Sequence, residues 1–420
     1  MSSFTELPSK IEKAVNKAEQ VLSIQMEYLE KISEKNHIKV LNAFQKFKVS
    51  AYHFQGSTGY GLGDVGRDTL DNIIADIMGT EAAIIRHQFV SGTHAIASAL
   101  FGILRPGDHF ISVTGMPYDT LQHVIGLKGD KEGTLADYGI EFEAIPLDEK
   151  NNIQYDLLAS KITAKTKLIT IQRSNGYEWR YSFGIDKIEE LVKYIKANYP
   201  HIYVFVDNCY GELVEDKEPG NVGVDLMAGS LIKNLGGTLA PTGGYIAGKK
   251  HLVDLAANRF TAPGVGSEVG ASLDLLRLLY QGVFISPLTV GEAIKGAVFS
   301  AAFWKELGFE VLPEPEEKRT DIIQSIKLGT KDGMIAFCQG IQKGSPVDSY
   351  VLPIPSEMPG YSDEVIMAGG TFIQGATSEF SGDGPLREPF IVYMQGAISY
   401  TYVKYANILA ALNLLEKNLI

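Results

Sequence analysis

Gly229-Ser230-Leu231-Ile232-Lys233-Asn234-Leu235-Gly236-Gly237 is the stretch on which the reading of this chain turns. Upstream, Asp207 closes the apolar run Ile202-Tyr203-Val204-Phe205-Val206. A desolvated lysine sheds its proton and can form an imine with an aldehyde. A neighbouring hydroxyl can reach a phosphate, and a carboxylate at a strand end can face a ring nitrogen. A surface lysine before a turn would account for the nonapeptide equally well, so the assignment rests on what else the chain carries. Ser-x-x-Lys also occurs in serine β-lactamases, but those also need Ser-Asp-Asn and Lys-Thr-Gly, and neither is present.

Length and composition bound the answer. The chain has 420 residues, enough for two or three domains. Its 45% hydrophobic and 21% charged content is that of an ordinary globular protein. A net charge of −12 speaks against nucleic acid, which calls for a concentrated basic face. Cys209 and Cys338 are too few for a disulfide framework, which suits a reducing cytoplasm. The first residues, Met-Ser-Ser-Phe-Thr-Glu, do not read as a signal peptide. No apolar run of about 18 residues predicts a membrane span. The 8 histidines show no metal-ligand spacing, so no metal site is expected.

Residues 10–45 carry one apolar stripe, Ile11, Ala14, Val15, Ala18, Val21, Leu22, Met26 and Leu29, at helical spacing. A glycine cluster from Gly56 to Gly66 predicts a loop, followed by a helix from Arg67 to Met78. Strands at Ala82–Ile85, His109–Val113, Leu168–Gln172, Ile202–Val206 and Thr242–Ala247 alternate with helices opening at Ser91 and spanning Ile185–Asn198. Such alternation predicts a mainly parallel sheet covered by helices. The expected organisation is a helical segment over 1–50, a large domain over 51–290 and a smaller C-terminal α+β domain over 291–420. No internal repeat or low-complexity tract appears.

Two more elements join Lys233 and Asp207. Ser91-Gly92-Thr93-His94 opens a helix, where glycine lets backbone approach a phosphate and the first amides point at it. Tyr118, in Gly115-Met-Pro-Tyr-Asp-Thr120 after a strand, is a flat ring able to stack on another. Each has a plain structural explanation, as a helix cap or a core tyrosine. Together they supply an amine, a ring-nitrogen partner, a phosphate seat and a stacking face. That is the equipment of a pyridoxal phosphate (PLP) enzyme.

In this order the elements resemble fold-type I PLP enzymes of the Cys/Met metabolism group, and most closely the methionine γ-lyase-like family often labelled aluminium resistance proteins. The resemblance runs from about residue 10 to 415. Its most specific pieces are Tyr60-Gly-Leu-Gly-Asp-Val-Gly-Arg67-Asp, His87-Gln-Phe-Val-Ser-Gly-Thr-His94, Gly115-Met-Pro-Tyr118-Asp-Thr, Gln172-Arg-Ser-Asn-Gly-Tyr-Glu-Trp179-Arg180, Ser230-Leu-Ile-Lys233-Asn, Thr261-Ala-Pro-Gly264 and Gly384-Pro-Leu-Arg387-Glu-Pro. It implies a mainly parallel seven-stranded sheet flanked by helices, with a smaller α+β domain. It implies PLP on Lys233, Asp207 against the ring nitrogen, Tyr118 on the ring, and Ser91, Gly92, Thr93 and Ser230 around the phosphate. Tyr60 would reach a neighbouring subunit's phosphate, which makes a homodimer the smallest active unit and a homotetramer the expected assembly. Arg387 would hold the substrate carboxylate.

The chain also departs from the pattern. The wider group has Tyr-x-Arg where Tyr60-Gly-Leu-Gly stands here, which leaves open whether Arg67 replaces that arginine. Asn175 stands where the close family tends to have arginine. It is expected at the cofactor's 3′-oxygen, with Arg173 and Arg180 as alternatives. Cys209 stands where the wider group tends to have threonine, and it reads as a packing residue. His94 reads equally as a ring neighbour or a structural histidine. The implied reaction is elimination of a thiol from a sulfur-containing amino acid, of methionine γ-lyase or cystathionine β-lyase type, giving a 2-oxo acid and ammonia. The alternatives are transamination, aldol cleavage or side-chain replacement on the same cofactor, and a non-enzymatic stress or metal-binding role.

Overall fold

The computed structural model describes residues 7–420. The amino-terminal stretch read for a signal peptide, residues 1–6, lies outside them. The chain opens with α1 (Ser9–Lys46), and Ile11, Ala14, Val15, Ala18, Val21, Leu22 and Leu29 of the predicted stripe are buried. Then follow α2 (Val65–Met78), β1 (Ala82–Arg86), α3 (Gly92–Ile103), β2 (His109–Ser112), α4 (Asp119–Ile125), β3 (Glu141–Ala144) and α5 (Tyr155–Lys161). The centre is built from β4 (Thr166–Gln172), α6 (Ile185–Asn198), β5 (Tyr203–Asp207), β6 (Leu226–Ser230), β7 (Gly244–Gly248) and α7 (Lys250–Phe260). Strands β1 to β7 form one sheet in the order β1-β7-β6-β5-β4-β2-β3. The five strands from β6 to β3 are parallel, while β7 runs antiparallel between β1 and β6. The predicted mainly parallel seven-stranded sheet is therefore present.

Side chains alternate across the strands and bury both sheet faces, as a parallel sheet between helices requires. Phe110, Leu168, Phe205, Leu226 and Ile246 pack with α3 and α7 through Ile96, Leu100, Leu252 and Val253. Ile111, Ile169, Val204, Val206 and Met227 belong to the larger cluster with Ile188, Leu191 and Val192 of α6.

The second sheet is entirely antiparallel. It contains β8 (Glu310–Leu312), β9 (Gln324–Lys327), β10 (Val365–Ala368), β11 (Ser381–Pro385) and β12 (Ile391–Gln395), in the order β10-β11-β12-β9-β8. It packs with α9 (Lys331–Lys343), and α10 (Tyr400–Glu416) packs on α9. One long helix, α8 (Leu276–Glu306), packs on α1, on the turn at Asn234–Gly236 and on β8, β9 and β12 of the second sheet. Among the described residues it lies in the one helical stretch long and apolar enough to cross a membrane, yet 67% of that apolar window is buried inside the molecule. Its length and apolarity are those of a core helix.

Trp304 of α8 is fully buried, and its Nε1 donates to Asn407 Oδ1 of α10 at 2.5 Å. Asn407 Nδ2 donates in turn to Ser300 Oγ and the Val403 carbonyl. Trp304→Ala should empty a large core volume and unpair Asn407 Oδ1, costing about 3–5 kcal/mol. A urea unfolding midpoint close to wild type would contradict this.

Candidate active site

The parallel strands end in register. Gln172, the last residue of β4, lies opposite Asp207, the last of β5, and Asp207 lies opposite Ala228 of β6. The site thus begins at the carboxyl edge of the sheet, where open α/β sheets bind ligands. Asp207 is buried, and its Oδ1 accepts the Cys209 backbone N–H at 3.1 Å. Burial pushes its carboxyl above the ordinary value, opposed by Lys233.

Lys233 follows β6 through a tight turn. Leu231 N–H donates to the Gly243 carbonyl, and a 3-10 turn follows at Asn234–Gly236. Gly236 cannot carry a side chain, because a Cβ there would stand 1.6 Å from the Leu231 carbonyl oxygen. Gly237 takes φ +54°, the left-handed region that favours glycine. Lys233 Nζ lies 4.0 Å from the centroid of the Tyr210 ring. Burial works against its ammonium. Cys209, Tyr210, Asp207 and Tyr118 act in the other direction and hold it above the ordinary lysine value.

The start of α3 lies against this turn. Ser91 caps the helix, its Oγ accepting the His94 N–H at 3.1 Å. A Cβ at Gly92 would stand 3.0 Å from Ser230 Cβ and 3.5 Å from Cys209 Sγ, so glycine leaves the cradle open. Ser230 is buried. Thr93 Oγ1 lies 3.0 Å from Tyr118 Oη, and the Tyr118 backbone N–H donates to Gln172 Oε1 at 2.9 Å. Gln172 thereby ties the stacking candidate to the strand edge. Burial, and then Asp207, keep the Tyr118 phenol protonated.

Toward solvent a cleft of about 330 Å³ opens between Tyr118, Gln172, Tyr177, Trp179, Arg387 and Tyr393. Arg387 Nη1 pairs with Asp363 at 3.2 Å, and its Nη2 donates to the Tyr177 carbonyl at 3.2 Å. Of the three candidates after Gln172, two have guanidinium groups already engaged. Arg173 binds Asn208, Glu215 and the Phe183 carbonyl. Arg180 binds the carbonyls of Tyr181, Gln172 and Ser174. Asn175 is buried, its Nδ2 donates to Ser325 Oγ at 2.8 Å, and its Oδ1 has no partner among the described residues.

Two residues lie apart. Tyr60 is 79% exposed on the glycine loop, outside the pocket of its own chain. Arg67 points inward and donates to the carbonyls of Gly61, Gly270 and Glu268 while pairing with Asp68. It holds the loop that carries Tyr60. His94 accepts the Val90 N–H and packs on Phe89 and Phe260, the structural alternative.

Three residues near Lys233 were not legible in the sequence. Tyr210 lies under its amine. Asp383 is buried on β11 within its electrostatic reach, one residue before the Gly384–Pro389 motif, which was its only signal. Glu212 is fully buried, accepts the Tyr245 hydroxyl at 3.0 Å, and its carboxyl is pushed up to about 8, chiefly by burial. The arrangement fits a pyridoxal phosphate. A glycine cradle at a helix start faces a buried serine, a buried carboxylate and a lysine share the strand edge, and an unpartnered amide oxygen remains nearby.

The family described as methionine γ-lyase matches residues 11–416. An uncharacterised protein of Bacillus subtilis (strain 168), YnbB, is 51% identical over 393 residues, covering 93% of each chain. A crystal structure from Listeria innocua, named for a provisional cystathionine β-lyase involved in aluminium resistance, is 53% identical. It superposes with TM-score 0.93 over 96% of this chain and 99% of its own. A carbon–sulfur lyase involved in aluminium resistance from Clostridium novyi NT is 44% identical, with TM-score 0.92 over 97% and 96%.

Glu212 gives a pH test. Its proton is held more tightly folded than unfolded, so its contribution is complete below the unfolded value of 4.5 and is lost as pH rises toward about 8. Glu212→Gln should flatten the fall of Tm between pH 5 and 8 and raise Tm at pH 8. An unchanged pH slope would refute the assignment.

Proposed function

The chain belongs to the methionine γ-lyase family, and on that premise we propose that it is a pyridoxal-phosphate-dependent carbon–sulfur lyase with Lys233 as the cofactor-bearing residue. The observation that carries this is the meeting of Lys233, Asp207 and the Gly92–Ser230 cradle at the ends of adjacent strands. When bound, the cofactor supplies an aldehyde and an electron-accepting ring.

Asp207, held by the Cys209 amide, would face the ring nitrogen and keep it protonated. Tyr118 would stack on the ring. Gly92, Thr93 and Ser230 hold the phosphate, with the Ser91 cap fixing the helix start. Asn175 would lie at the ring oxygen. Lys233, its amine free, would take the α-proton of the substrate and later carry a proton to the β-carbon or the leaving group. Arg387 receives the substrate carboxylate, with Asp363 giving way. The products are a thiol, a 2-oxo acid and ammonia.

Tyr60 serves a second copy of the chain, so the active unit is at least a homodimer and the assembly a homotetramer. The exposure of Tyr60, Leu62 and Val90 near the loop and the start of α3 supports such a contact. The buried, unpaired cysteines suit a reducing cytoplasm.

Lys233→Ala should abolish both turnover and the borohydride-fixable attachment of cofactor to the chain. Turnover at the wild-type rate would end the proposal. A panel of sulfur amino acids, scored for 2-oxo acid with hydrogen sulfide and methanethiol measured separately, identifies the substrate. For the shared site, co-expression of Tyr60→Ala with Lys233→Ala should restore part of the activity that each variant lacks alone. No restoration would place Tyr60 outside the partner's site.

A further inference from the structure

We propose that Tyr210 is a positioning residue for Lys233, the face of its ring seating the amine and steadying the positive charge that arrives with the α-proton. The inference rests on the lyase reading above, in which Lys233 takes that proton. Lys233 is half-buried, and its Nζ lies 4.0 Å from the centroid of the Tyr210 ring. The electron-rich face of an aromatic ring attracts an ammonium far more than a neutral amine. It therefore favours Lys233 with the proton over Lys233 without it. Only a difference of that kind speeds a step, because support given equally before and after cancels.

The backbone is strained to bring the ring there. Tyr210 takes φ 70°, the left-handed region that a bulky aromatic residue rarely adopts. Such a residue persists only where its surroundings over-determine it, and these residues gather at functional sites. A tyrosine that merely filled the core would not need this conformation. The turn is held along its length. Cys209 N–H is bound to Asp207 Oδ1, and Gly211 N–H donates to the Asn208 carbonyl at 3.0 Å. Ile322 N–H donates to the Tyr210 carbonyl at 3.3 Å. Arg173 Nη1 donates to Asn208 Oδ1 at 2.8 Å, and a Cβ at Gly211 would stand 2.4 Å from Arg173 Cδ. At its far side the Glu212 carbonyl accepts from Nδ2 of Asn234, the residue after Lys233, at 2.9 Å. The ring packs against the cluster formed by Ile323, Ile391 and Tyr393. One turn thus carries the ring-nitrogen carboxylate at its start, aims the phenol in its middle and ties down the lysine at its end.

In the step, the α-carbon–hydrogen bond of the substrate breaks and its electron pair stays with the substrate. The proton joins the lone pair of Lys233 Nζ, and the amine becomes an ammonium over the ring. Atoms and charge balance without a further reactant. The other titratable groups facing Lys233 are Asp207, Cys209, Tyr118, Glu212, Tyr361 and Asp383. All of them stay in place when the ring at 210 is exchanged for one of the same shape, so the electron density of its face can be varied alone.

The test does this with full-length Tyr210→Phe and with its counterparts carrying one, two or three ring fluorines, each of which draws electron density from the face. Two readouts are taken. The first is exchange of the α-hydrogen of alanine in deuterium oxide by the holoenzyme, which involves no leaving group. It should fall stepwise, about threefold to tenfold across the series, as proton transfer follows base strength. The second needs no substrate. Lys233 of the cofactor-free chain, carrying carbon-13 methyl groups on its amine, should titrate at progressively lower pH, about one unit lower at three fluorines than in Tyr210→Phe. The direction is downward because the charged form loses its support. A ring that served only as packing would leave both readouts flat, since its shape is kept. A flat series in either readout overturns the inference and leaves the lyase reading intact. A wild type that neither exchanges the alanine α-hydrogen nor releases 2-oxo acid from any sulfur amino acid refutes the lyase reading, and the amine titration still judges the seat.

Discussion

The hydrogen-bond register of three parallel strands is the constraint on which the rest of this molecule depends. β4, β5 and β6 run side by side with Gln172, Asp207 and Ala228 in one row. A slip of one residue would turn Asp207 toward the opposite face and carry Gln172 away from the Tyr118 amide. The register is held by burial on both faces, since Leu168 and Phe205 face one set of helices while Ile169 and Val206 face the other. The core and the site are therefore one piece of geometry. What keeps the sheet dry also delivers a carboxylate, an amide and a lysine to the same edge.

That edge gathers charge where water is scarce. Asp207, Glu212 and Asp383 are buried around it beside the half-buried Lys233, with the fully buried Arg173 ion-paired to Glu215 behind them. Burial alone disfavours each charged form. The surroundings offset this unevenly: Lys233 gains from Tyr210 and Asp207, whereas Glu212 and Asp383 stay raised. A site so built holds protons at several places near neutral pH, which suits a reaction that moves protons between carbon, nitrogen and sulfur. The small sheet takes part as well. Asp383 lies on β11 and Arg387 in the turn that follows it, and both are tied to Tyr177 of the large-sheet side.

Much of this was legible in the chain. The α1 stripe, the alternation of strands and helices and the Ile185–Asn198 helix follow from apolar periodicity. Asp207 stood out because it closes an apolar run, and Lys233 because it follows a serine and precedes paired glycines. Other features were not legible. The sequence of β7 does not tell that it runs antiparallel, since a buried strand reads as an apolar run in either direction. The short strands of the second sheet are weakly patterned. Arg67 could be read as a phosphate arginine until its guanidinium was found on the carbonyls of Gly61, Gly270 and Glu268. Asp383 resembles any Asp between glycines until β11 carries it beneath Tyr177.

The sequence by itself determined the kind of chemistry available: an amine at Lys233, a carboxylate at Asp207, a glycine-opened helix start at Gly92 and a ring at Tyr118. Residue type and local spacing are enough for that, because each property belongs to a side chain and the few residues around it. Only the tertiary structure decided which polar groups remain uncommitted. Arg173 and Arg180 are taken up by internal partners while Asn175 keeps a spare oxygen. Tyr177 is joined to a carboxyl 206 residues away. Such pairings depend on distances between segments remote in the chain, and the packing of the two sheets and their helices sets those distances.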